Sequence, residues 1–156
     1  CMKNNPKENL DEWTKGLPDS SYTTTSESNI KFEENKSKIT FSNESKKKCL
    51  KVDVDGGVYP KGGKKLRCDK LLVEKEKLRF YFVELKGRHI EHAVEQLASS
   101  VRDPKLNPDC SQDKFAFAVG RNNVPKISTQ IQGWIKNFKR SGVTLKIEDT
   151  PAKYDL

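Results

Sequence analysis

At 156 residues the chain is one domain by length, and 30 Lys and Arg against 22 Asp and Glu leave a charge of +8 that favours polyanionic partners. Its longest purely apolar runs, Phe80–Val83 and Phe115–Val119, are far too short for a membrane span or a signal-peptide core, so a soluble, cytoplasmic protein without a membrane partner is expected. Cys1, Cys49, Cys68 and Cys110 form no CxxC pair, which argues against a zinc ribbon or a disulfide framework and for free thiols.

In chain order, residues 1–30 are rich in Asn, Ser, Thr, Lys and Glu and read as a polar, mobile arm with one short helix around Asn9–Lys15; a single domain follows over 31–156. Residues 31–48 carry Phe32, Ile39 and Phe41 among many charges and fit neither helix nor strand periodicity. From Cys49, Leu50, Val52 and Val54 alternate with polar residues as in a half-buried strand, and Gly56-Gly57 turns the chain. Leu66–Val73 and Leu78–Lys86 read as a hairpin around the turn Glu74–Lys77, the second strand apolar on both faces as far as Val83.

Ile90, Ala93, Val94, Leu97, Ala98 and Val101 then recur at helical spacing until Asp103-Pro104. Lys114–Val119 is a further strand. Pro125 opens a helix with the stripe Ile127, Ile131, Trp134, Ile135 and Phe138, where Trp134 and Phe138 read as core, and Val143, Leu145 and Ile147 alternate as a last strand. The order predicts an α/β fold with a mixed central sheet flanked by helices.

Glu84-Leu85-Lys86 is the sharpest feature. Acid-x-Lys alone is uninformative, since Glu34-Asn35-Lys36 has the same form, but only Glu84 and Lys86 end a strand that otherwise reads as buried. Side chains two apart on a strand share a face, and charges at the edge of a core need a partner or a metal. With a turn at Glu74–Lys77, Val73 faces Leu78, so Asp69 faces Phe82 and lies diagonal to Glu84 on that face. A slip of one residue would turn Asp69 away. Two carboxylates beside an amine suit a hard cation, Mg²⁺ with Mn²⁺ as a substitute, and the cation would serve phosphodiester hydrolysis.

Asp69, 14 intervening residues and Glu84-x-Lys86 on hairpin strands, followed at once by a helix, resemble the PD-(D/E)XK nuclease superfamily across roughly residues 49 to 120. The resemblance implies a restriction-endonuclease-like core and a metal-dependent endonuclease acting on DNA in restriction, defence or repair. It implies that Asp69 and Glu84, with Leu85, hold the metal and that Lys86 serves the attacking water. Gln96, on the following helix, stands where some members place a glutamine near the site. Cys68 replaces the proline of the family name, and Glu33, Glu34 and Glu44 are alternatives for an upstream acid. Cleavage of both strands of a duplex implies a homodimer.

Two basic groups flank the motif and suit phosphate contact: Lys64, Lys65 and Arg67 on one side, and Arg121, Lys126, Lys136, Lys139 and Arg140 on the other. His89 and His92 are three apart but have no third ligand nearby for zinc. The rival expectation is a module that keeps the fold without activity and binds nucleic acid or a protein partner.

Overall fold

The computed structural model describes residues 5–63, 66–109, 111, 113–121 and 128–156. In chain order these form α1 (Pro6–Lys15), β1 (Tyr22–Thr25), β2 (Asn29–Glu34), β3 (Ser37–Ser42), β4 (Cys49–Asp53), β5 (Lys70–Glu74), β6 (Arg79–Leu85), α2 (Ile90–Val101), β7 (Asp113–Gly120), α3 (Thr129–Arg140), β8 (Val143–Asp149) and β9 (Ala152–Asp155). A six-stranded sheet has the order β1-β4-β5-β6-β7-β8, and a three-stranded sheet the order β2-β3-β9. The first four strands of the large sheet pair antiparallel, whereas β6, β7 and β8 run parallel, with α2 and α3 supplying the crossovers. The expected mixed sheet with flanking helices is present.

Alternation along the central strands divides the interior in two. Leu50, Val52, Leu71, Val73, Phe80 and Phe82 face the helices and pack with Leu10, Val94, Leu97 and Phe138. Leu72, Tyr81, Val83, Leu85 and Phe117 face the opposite way, onto Ile30, Phe32, Ile39 and Phe41 of the small sheet. The layers are therefore helices, large sheet and small sheet, which explains why β6 is apolar on both sides.

The mobile arm expected over 1–30 is corrected for its described part. Asn5 caps α1 by accepting from the Lys7 N–H, Pro6 opens the helix and Gly16 closes it. Leu10 and Leu17 are buried, and the Trp13 ring lies 5.3 Å from that of Phe80 while its indole N–H donates to the Lys105 carbonyl at 2.8 Å. A few well-placed apolar residues outweigh the polar composition here. Residues 31–48, undecided from sequence, supply most of the β2–β3 hairpin, with Ile30, Phe32, Ile39 and Phe41 inward and the charges outward. Pro125 and Ile127 lie outside the described residues; α3 starts at Thr129, capped by the Ser128 hydroxyl, which accepts from the Ile131 N–H at 3.1 Å.

The β5–β6 turn also differs. Glu74 pairs with Arg79 and Leu71 with Phe82, so the turn is Lys75–Leu78 rather than Glu74–Lys77. Leu78 adopts φ 58°, and the Glu74 carboxylate accepts the Lys77 N–H at 2.7 Å, which holds the turn there. The register moves by two, so every side chain keeps its face.

Candidate functional site

The corrected register brings the acids closer together than expected. Because Lys70 pairs with Val83, the next residues outward, Asp69 and Glu84, stand opposite each other on the helix-facing side. Asp69 is fixed from several directions: its carbonyl accepts the Val54 N–H at 3.0 Å, its Oδ2 accepts the Leu85 N–H at 2.9 Å, and the preceding Cys68 N–H donates to the Ser100 hydroxyl at 2.8 Å. Lys86 extends β6 by donating its N–H to the Val119 carbonyl at 2.8 Å.

The small sheet holds the same strand end from behind. Asn35 Nδ2 donates to the Leu85 carbonyl at 2.9 Å, and the Ser37 hydroxyl donates to the Lys86 carbonyl at 2.7 Å. Leu85, expected among the metal contacts, thus gives its N–H to Asp69 and accepts from Asn35, with its side chain buried against the small sheet.

Glu84 is 1% exposed, and among the described residues neither of its carboxylate oxygens has a donor in hydrogen-bond geometry; Lys86 Nζ pairs with Oε2 at 3.2 Å. Burial pushes the Glu84 carboxyl well above the usual carboxylate range, the Asp69 charge pushes it further, and Lys86 and the Asp69 N–H both act in the opposite direction. Asp69 is also raised, first by burial, with the Leu85 N–H opposing and Glu34 adding to the rise. Two facing acids that burial makes reluctant to ionise could hold a cation between them. Among the described residues no three or more His, Cys, Asp or Glu form a group that could hold a metal ion.

Gln96 projects from α2 toward the strand leading into Asp69. Its Nε2 donates to the Arg67 carbonyl at 3.0 Å, and its Oε1 is buried without a partner. Arg67, expected to contact phosphate, is engaged within the protein: Nε pairs with Asp103 at 2.8 Å, the guanidinium donates to the Ser99 hydroxyl at 2.9 Å, and it lies over the Tyr59 ring. Tyr59 donates in turn to Asp103, so this network fastens the loop after β4 to the end of α2.

Of the other basic residues, Lys136, Lys139 and Arg140 are exposed on α3, and Lys64, Lys65 and Lys126 lie outside the described residues. Arg121 comes next to the site, because its N–H donates to the Gly87 carbonyl at 2.8 Å and a Cβ on Gly87 would lie 3.0 Å from its Nη2. Gly87 therefore makes room for a guanidinium beside Lys86, a role that its reading as a strand stop did not capture. An open cleft of ≈ 740 Å³ begins at Lys86 and runs between the starts of α2 and α3.

No protein-family model, curated protein or solved structure matches this chain. Among the described residues no helix is long and apolar enough to cross a membrane. Cys49 and Cys68 are buried free thiols, and burial pushes both up to about 12, which makes them poor nucleophiles.

Proposed function

We propose that this protein is a cytoplasmic, metal-dependent endonuclease of the PD-(D/E)XK type, hydrolysing phosphodiester bonds of DNA in restriction, defence or repair. The observation that carries the reading is Glu84: a buried carboxylate short of hydrogen-bond donors among the described residues, ion-paired to Lys86 and opposite Asp69 at the end of a central strand.

In this reading Asp69 and Glu84 would hold a Mg²⁺ or Mn²⁺ ion, with the Gln96 oxygen and the Leu85 carbonyl as further donors. When bound, the metal supplies an acidified water and neutralises charge on the phosphate. The Leu85 N–H keeps the Asp69 carboxylate turned toward Glu84. Lys86, 22% exposed, places an ammonium where an attacking water and a phosphate oxygen meet, and Arg121 adds a second cation for the phosphodiester. Lys136, Lys139 and Arg140 extend the positive surface along α3 for the backbone of the polymer.

The test is cleavage of plasmid and single-stranded DNA with Mg²⁺ or Mn²⁺ by the wild type, Glu84→Ala and Lys86→Ala, with EDTA as control. Cleavage lost in EDTA and in both variants supports the reading. Intact DNA with every metal, together with metal-independent binding, would instead identify an inactive module with the same fold.

A further inference from the structure

We propose that the cleft beside Lys86 holds an unpaired base, so that the substrate is a single strand rather than closed duplex; the inference rests on the nuclease reading of the same site. Ile90 from the first turn of α2 and Ile131 and Trp134 from α3 make an apolar floor, and Lys86, Arg88 and Ser128 stand on its rim. Trp134, read from sequence as a core residue, is only partly buried: it packs against the helix-side core and lines the cleft as well. An indole beside aliphatic side chains, with cations at one edge, matches what a nucleotide presents, a flat π-face next to a phosphate. The volume, ≈ 740 Å³, falls within the range of about 300–1,000 Å³ typical of small-ligand sites and leaves room for a base and its sugar.

Lys86 and Arg88 line the end of the cleft nearest Glu84 and attract phosphate there, while Glu91 and Glu95 line it along α2, Glu95 lying 3.7 Å from the His92 ring. In this inference a phosphate held at Lys86 leaves its base to stack on Trp134 in the same cleft. In closed duplex that base is stacked and paired, and extruding it costs a few kcal/mol, so single strands, flaps and frayed ends are preferred.

The experiment measures binding of one fluorescein-labelled DNA oligonucleotide, single-stranded and as blunt duplex, by anisotropy and tryptophan quenching in EDTA. The proteins are the wild type, Trp134→Leu, which keeps apolar volume, and Trp134→Phe, which keeps a π-face; thermal melts establish that each variant is folded. The expected result is single-strand affinity at least ~10-fold above duplex, lost by about 10-fold in Trp134→Leu and largely kept in Trp134→Phe. Equal affinity for the two forms, or binding and quenching unchanged in Trp134→Leu, overturns the inference. Metal-dependent cleavage abolished by Glu84→Ala but indifferent to strand form and to Trp134 overturns the cleft while leaving the nuclease reading in place. Trp134-dependent single-strand binding without any metal-dependent cleavage does the reverse.

Discussion

Glu74 and Glu84 lie on the two strands of one hairpin, each 1% exposed and each near a lysine, yet their surroundings differ. Glu74 faces the small sheet at the turn end, and its Oε2 accepts the Lys77 N–H at 2.7 Å, while Oε1 has Lys47 at 3.8 Å and no hydrogen-bond donor among the described residues. Glu84 faces the helices at the opposite end, and among the described residues neither oxygen has a donor in hydrogen-bond geometry, with Lys86 paired to Oε2 at 3.2 Å. Burial of a carboxylate is thus no mark of function by itself. The distinguishing sign is whether the fold provides the donors that burial demands.

The largest expected effect breaks the comparison at Glu84. Glu84→Gln should lower metal-dependent cleavage by at least ~10², as befits losing a charge aimed at the reaction centre, and should abolish any Mg²⁺-induced rise in melting temperature. Lys86→Ala should cost cleavage about 10-fold to ~10² while leaving that metal-induced rise in place, which separates holding the cation from serving the water.

Glu74→Ala should act on stability alone. Losing the acceptor for the Lys77 N–H at an exposed turn should cost about 0.5–1.5 kcal/mol by denaturant titration, with cleavage unchanged wherever the variant is folded. Lys47→Ala, removing a distant and partly exposed partner, should cost less than ~1 kcal/mol.

Dependence on pH sharpens the same contrast. The raised Glu84 carboxyl favours the folded state most below its ordinary value of 4.5, and that contribution fades as pH rises toward about 8. Metal-free protein should therefore lose stability across this window, Glu84→Gln should flatten the loss, and added Mg²⁺ should restore more melting temperature at pH 8 than at pH 5.

These contrasts show what was legible in the residues and what was not. The strand ending in Glu84 and Lys86 could be read because its apolar run is bounded by charges, and Asp69 reached the correct face because a two-residue error in the turn preserves parity. The turn itself could not be read, since it depends on Leu78 at positive φ and on the buried Glu74, which accepts from the Lys77 N–H. The β2–β3 hairpin does alternate at Ile30, Phe32, Ile39 and Phe41, but its outward face is dense with charge, and β9 contributes little more than Ala152 and Tyr154. The supports that Asn35 and Ser37 lend to the strand end come through that hidden sheet, so neither was singled out. Arg67 was assigned to phosphate because sequence displays charge and not the Asp103 that absorbs it.

The small sheet also imposes an order of events. Ile39 pairs in parallel with Ala152, and the Lys38 N–H donates to the Thr150 hydroxyl, 112 residues away. As the chain leaves the ribosome, β2 and β3 emerge early yet must wait for β9 before their sheet is complete. The brace behind Leu85 and Lys86 is therefore finished late, and a nascent chain halted before β9 would carry Asp69, Glu84 and Lys86 without the backing that sets them in place.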